Sequence, residues 1–172
     1  MPQWSVKIAS YSDAENRISF SDSFQILEVE IPYGTASSIR LGTWHHTGLE
    51  TRAGDVRSTS DFYAVLDQAI STSLNGFIQF GNANTHFNEI KTHWSIGLNY
   101  QGLFYQEDFS GVMISNVDVY GADSETAIEC YTNITINENV GLKPGLIYLH
   151  NIAGDETLGN TTIVNLRLSI SF

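Results

Sequence analysis

The sequence predicts an all-β chain, an antiparallel transmembrane β-barrel of which about nine or ten strands are present. Three observations lead there. The final stretch, Thr161 to Phe172, alternates with a period of two: Val164, Leu166, Leu168, Ile170 and Phe172 share one face, and Asn165, Arg167, Ser169 and Ser171 the other. Alternation of this kind recurs along the chain in runs close to the roughly 9 to 11 residues that a tilted strand needs to cross lipid. Helical spacing is sparse, because Gly, Asn, Ser and Thr interrupt nearly every window, and no run of about 18 apolar residues supplies a transmembrane helix. A half-buried strand of a soluble sandwich alternates in the same way, but it has no special reason to end on an aromatic ring facing the same side as its aliphatics.

At 172 residues the chain reads as one domain, 1–172, without linker or low-complexity segment. Eight Lys plus Arg against 19 Asp plus Glu give a formal net charge of -11. This argues against nucleic acid as a partner and against docking on an anionic membrane surface, but not against insertion, because barrel carboxylates can sit in the lumen or in loops. Cys130 is the only cysteine, so neither an internal disulfide nor a cysteine zinc cluster can form. It falls on an apolar strand face, where a thiol acts as a small hydrophobe. Met1-Pro2-Gln3-Trp4 carries no basic segment followed by an apolar one, so the sequence as written has no secretory signal. For an exported barrel this implies further residues upstream.

Residues Trp4 to Tyr11 form a short expected strand, followed by a polar turn at Ser12 to Asn16. From Phe24 to Ile31, Leu27, Val29 and Ile31 oppose Ile26, Glu28 and Glu30. Pro32-Tyr33-Gly34-Thr35 reads as a turn into a strand from Ser38 to His46, and the polar stretch Thr47 to Ser60 as a surface loop. Asp61 to Ile70 and Leu74 to Asn82 make a hairpin across Ser71-Thr72-Ser73. A long strand from Lys91 to Phe104 puts Trp94, Ile96, Leu98, Tyr100 and Phe104 on one face, aromatics near its ends and aliphatics between. Gly111 to Tyr120 returns, Gly121 to Ser124 turns, and Glu125 to Asn137 alternates cleanly. After the turn Glu138-Asn139 comes Val140 to His150, with Pro144 inside it, which normally demotes a run to an edge or a bulge. Asn151 to Asn160 is the last loop.

The second half of the chain resembles the carbohydrate-selective porins of the OprB family. The residues that carry the resemblance run, in order, through Gly97-Leu98-Asn99-Tyr100-Gln101-Gly102-Leu103-Phe104 with Asp108 and Gly111, then Glu125 with Ile128-Glu129-Cys130-Tyr131. Leu142-Lys143-Pro144 with Tyr148 and Asn151, and Leu166-Arg167-Leu168 with Phe172, complete them. Leu41-Gly42-Thr43-Trp44, Tyr63 and Asp67-Gln68 fit upstream, so the likeness covers residues from about 24 to the end. It implies a sixteen-stranded outer-membrane barrel through which small carbohydrates diffuse, with no cofactor and no chemistry, and of which this chain would be the C-terminal part. It also implies outer-membrane lipid as surroundings and the assembly machinery as a partner, read through a terminal strand ending in Phe172. Two departures stand out: a signal peptide and several strands are missing, and Tyr105-Gln106-Glu107-Asp108 lacks the arginine expected near Gln106.

A sugar channel needs hydrogen-bonding groups and ring faces along the polar side of its strands, holding the ligand weakly enough to release it. By strand parity the candidates are Glu28, Glu30, Arg40, Trp44, Asp67, Gln101, Glu129, Tyr131 and Arg167. Arg40, Glu129 and Arg167 come first, because charges on the polar face of otherwise apolar strands need water or a partner. The plain alternative is that most of these are merely solvated.

Other readings rest on less. Glu28 and Glu30 could act as general acid and base. His45 and His46 would point to opposite faces, a poor metal geometry. His93 and Ser95 share a face, the nearest approach to a hydrolytic set in a small closed barrel. Asn133-Ile134-Thr135 and Asn160-Thr161-Thr162 match the glycosylation sequon, which has no meaning in a bacterial outer membrane. The main competing fold is a soluble β-sandwich, such as a carbohydrate-binding module, in which the apolar faces pack sheet to sheet.

Overall fold

The computed structural model describes residues 3–12, 23–51 and 53–171. Ten strands follow one another: β1 (Ser5–Ser12), β2 (Ser23–Tyr33), β3 (Ser37–Glu50), β4 (Val56–Ala69), β5 (Leu74–Asn82), β6 (Ile90–Gln101), β7 (Phe109–Val119), β8 (Ser124–Asn137), β9 (Val140–His150) and β10 (Thr161–Ile170). They form a single antiparallel sheet in the order β1 to β10, each strand hydrogen-bonded to its sequence neighbours. Short connections dictate this order, since an antiparallel partner can be reached through a turn of a few residues whereas a parallel one needs a long crossover.

The register sorts the side chains into two faces. One row crosses nine strands as Ile31, Ile39, Leu66, Ile78, Ile96, Ile114, Ile128, Tyr148 and Thr162, each opposite the next. These lie on the face that the sequence marked as apolar. The other face carries rows such as Asn75, Asn99, Gly111, Tyr131, Gly145 and Asn165. Among the described residues no hydrophobic side chain is buried; Ile96 is 43% exposed and Leu166 68%. A sandwich needs a second sheet to bury its apolar face, and no second sheet is present among the described residues. The carbohydrate-binding-module reading fails on that point.

Several boundaries differ from those expected. The stretch Thr47 to Ser60 is mostly strand: β3 continues to Glu50 and β4 begins at Val56, with Leu49 opposite Arg57 and Glu50 opposite Val56 beyond a bulge after His46. Among the described residues of that stretch only 51 and 53–55 lie outside the strands, and there the Gly54 N–H donates to the Thr51 carbonyl at 2.9 Å. The polar composition suggested a loop, but ladder hydrogen bonds come from the backbone, and polar side chains ride on them where both faces are wet. Pro32 and Tyr33 likewise extend β2, and the turn is 34–36, in which Gly34 and Ala36 take positive φ. β6 ends at Gln101, so Phe104 belongs to the following turn and not to the strand.

Pro144 sits in a strand that is paired on both sides. Opposite Leu166 on β10 the ladder continues, but towards β8 no pair joins the strands between Tyr131–Gly145 and Ile134–Leu142. The missing N–H is placed where the ladder lapses, which is how an interior strand tolerates proline.

The connections fall into two groups. At one end lie the turns 34–36, 70–73, 102–108 and 138–139; at the other lie 51–55, 83–89, 120–123 and 151–160. The 102–108 turn is fastened by Asp108, fully buried, whose carboxylate accepts the Tyr105 N–H at 3.1 Å and the Thr135 N–H of β8 at 3.3 Å. In the last loop Gly154, at φ 71, lies so close to the 120–123 turn that a Cβ there would overlap the Asp123 carbonyl. Its own carbonyl accepts the Asp123 N–H at 3.0 Å. Phe172 lies outside the described residues.

In a lipid bilayer Ile96→Arg, in the middle of the apolar row, should destabilise the protein by about 2–4 kcal/mol. Gln79→Arg, on the opposite face of the adjacent strand, should stay within about 0.5 kcal/mol of the parent. Denaturant titration of the full protein in lipid vesicles checks both, and the reverse order would put the hydrocarbon on the wrong face.

Candidate functional site

Strand parity and register bring all nine candidate side chains to the polar face, in two groups. The first spans β1 to β4. Lys7 of β1 bridges Glu28 and Glu30 of β2, its Nζ 3.0 Å from a carboxylate oxygen of each. The Tyr63 hydroxyl of β4 donates to the other Glu28 oxygen at 2.8 Å. Arg40 of β3 pairs with Asp67 of β4 at 2.7 Å. Glu28 and Glu30, each tied to a cation, are thus members of a charge network. The pair is not set up as a free acid beside a free base.

Trp44 stands toward the other end of the same face. Its ring centroid lies 5.8 Å from that of Phe24, which in turn lies 5.7 Å from His46. His45 points to the opposite side and meets the Ser60 hydroxyl at 2.6 Å, so the two histidines do separate as expected. Gln101 reaches the Gln106 carbonyl at 3.5 Å and belongs to the turn as much as to the face. His93 meets Ser115 of the adjacent strand β7 at 3.1 Å and not Ser95, and no carboxylate among the described residues hydrogen-bonds it.

The second group spans β6 to β10. The Tyr131 hydroxyl of β8 crosses β7 and donates to Asn99 of β6 at 2.8 Å. Lys143 of β9 holds its ammonium 3.8 Å from the Tyr131 ring centroid, a cation–π contact. Glu129 and Arg167 line a cleft at the edge of the sheet with Lys143 and Asn165, and Leu166 and Leu168 border it from the other face.

One device builds both groups. Glu28, Gly42 and Tyr63 stand in a row across β2, β3 and β4, as Asn99, Gly111 and Tyr131 do across β6, β7 and β8. In each row the tyrosine lies flat over the glycine, and a Cβ on either glycine would overlap the ring. Each hydroxyl is thereby carried across a whole strand to an acceptor that a tyrosine standing upright would not meet. Gly97 receives the Phe77 ring in the same manner. Tyr63, Lys7, Asn99 and Lys143 were missed by reading the sequence. Only Gly42 and Gly111, small residues amid strand runs, hinted at close approach.

The model of the carbohydrate-selective porin family, OprB, matches residues 31–172. The chain belongs to this family. Among solved structures, that of Pseudomonas putida OprB at high pH superposes with a TM-score of 0.83 at 16% sequence identity, covering 100% of this chain and 56% of that one. This likeness concerns the fold: the chain spans about half the length of its structural relative. No curated protein sequence matches the chain. The ten-stranded porin sheet therefore corresponds to part of a barrel wall.

Outside the sheet the porin chain has one further charged group with a defined partner. Asp155, between the 3-10 turns Ile152–Gly154 and Glu156–Leu158, accepts from the Thr157 hydroxyl at 2.6 Å and from its backbone N–H at 2.8 Å. The hydroxyl bond first, then the backbone one, hold its carboxyl below the ordinary 3.8. Because the folded value is depressed, the cap is intact above that ordinary value and is lost as pH falls through the folded one.

Two outcomes follow from these contacts. Gly111→Ala should lift the Tyr131 ring off the wall and cost about 1–3 kcal/mol in unfolding experiments, a loss largely relieved in the Gly111→Ala/Tyr131→Ala double variant. Hydrogen exchange at the Thr157 amide should show protection at pH 6 that fades as pH falls below about 3.8; in Asp155→Asn this pH dependence should vanish.

Proposed function

We propose that this chain is part of the wall of a water-filled outer-membrane channel through which small carbohydrates diffuse. The observation that carries the reading is the two-faced sheet: an uncovered apolar row across nine strands on one side, and charges, amides and tyrosines on the other. Hydrocarbon is the one medium in which so broad an apolar face needs no protein cover, and water in a lumen is what the polar face requires. Family membership supports the same assignment. By the usual orientation of such barrels the end bearing the turns 34–36 and 138–139 is periplasmic, and the end bearing 83–89 and 151–160 is extracellular.

Within that lumen Glu28, Glu30, Arg40, Trp44, Asp67, Gln101, Glu129, Tyr131 and Arg167 line the path of the sugar, joined by Tyr63, Asn99 and Lys143. Many weak donors and acceptors on a fixed wall exchange for the hydration of a sugar without trapping it. The group across β1 to β4 pairs its charges, so there the sugar meets hydrogen-bonding edges that are already oriented. β10 (Thr161–Ile170) is the strand that outer-membrane assembly machinery would take up. The protein binds no cofactor in this reading and performs no bond chemistry.

The native protein reconstituted into liposomes should make them swell in isotonic glucose, with slower swelling for a tetrasaccharide. Arg40→Ala should change the ratio of the two rates, because it frees Asp67 and widens the charged band beside β3. Liposomes that stay impermeable to glucose would sink the channel reading.

A further inference from the structure

Six Lys and Arg side chains lie among the described residues, and four of them have a carboxylate partner. Lys7 meets Glu28 and Glu30, Arg40 meets Asp67, Arg57 meets Asp55, and Lys91 meets Asp118. The remaining two, Lys143 and Arg167, have none, and they stand directly opposite each other on β9 and β10. In a chain of formal net charge -11 that leaves two cations side by side where acid is plentiful. Like charges on directly opposed strand positions repel.

Arg167 lies on β10 at the edge of the sheet, but Lys143 is not at its margin. Lys143 has β8 on one side and β10 on the other, and still meets only the face of the Tyr131 ring, 3.8 Å away. Glu129 borders the same cleft but makes no ion pair with either cation. Asn165, two residues from Arg167 on the same face, adds an amide beside Gly145.

From this we propose that Lys143 and Arg167 form a binding site for the anionic group of a charged sugar, a carboxylate or a phosphate, on the polar wall of the channel. The inference rests on the channel reading above. A guanidinium matches either anion through two parallel N–H donors, while an ammonium adds a point charge from the adjacent strand. The anion relieves the repulsion between the two cations, and the sugar hydroxyls then fall toward Asn165 and Glu129. Both cations stand on the wall at the edge of the sheet, where the ligand can leave, as transport requires.

The test is flux of gluconate, glucose 6-phosphate and glucose through the native protein in liposomes, alongside Lys143→Gln/Arg167→Gln and Arg167→Lys. In the double variant the flux of at least one anion relative to glucose should fall roughly tenfold, and Arg167→Lys should retain most of it. Whichever anion loses more identifies the carboxylate or the phosphate as the better match. Ratios unchanged in the double variant overturn the anion site while leaving the channel standing. A parent protein that passes no glucose overturns both. Heat-modifiable migration on gels, retained in each variant, excludes misfolding as the cause of a lowered ratio.

Discussion

Backbone hydrogen bonding between consecutive strands is the interaction on which everything else in this molecule depends. There is no buried apolar side chain among the described residues to hold two layers together. The sheet is one layer thick, and each strand is fixed by the ladders to its neighbours. A structure of this kind cannot hide a backbone polar group in a core, so every local irregularity must be solved in the ladder itself. Pro144 shows the solution: its missing donor coincides with a gap toward β8, while pairing to β10 continues past it.

One-layer architecture also decides how polar side chains find partners. With nothing packed above them, they must reach along the surface of the sheet. Tyr63 and Tyr131 do so by lying down over Gly42 and Gly111, each spending a glycine on the intervening strand to bring a hydroxyl to Glu28 or Asn99. The glycine weakens its own strand, since it offers no side chain to the pleat, and the ring laid across it restores contact over three strands. The wall is thus stiffened on the side where ordered groups matter, without any element projecting into the space beside it.

Charge is distributed by the same constraint. Lys7, Arg40, Arg57 and Lys91 each reach a carboxylate on a nearby strand or turn, and these pairs are partly solvated, so each contributes modestly to stability. Their larger effect is to orient Glu28, Glu30 and Asp67 on a fixed surface. The Lys143–Arg167 pair departs from that pattern, and the departure is legible because the other described cations all obey it.

Sequence alone determined that nine or ten alternating strands are present and, outside the weakly patterned hairpin from Asp61 to Asn82, the face that the side chains take. Those follow from a period of two, which the pleat enforces on every strand. It is why Glu28, Arg40, Tyr131 and Arg167 could be placed together, and why the C-terminal strand could be read from Val164 to Ile170. Polar composition misled at Thr47 to Ser60, where backbone pairing is indifferent to side-chain polarity, and at Pro32, which lies within a strand. Only the tertiary structure decided the register between strands. Register is set by turn geometry and bulges, which the alternation leaves free by steps of two residues. It alone puts Tyr63 over Gly42 within reach of Glu28, and Lys143 opposite Arg167, because side chains far apart in sequence meet only when neighbouring ladders lock them into one row.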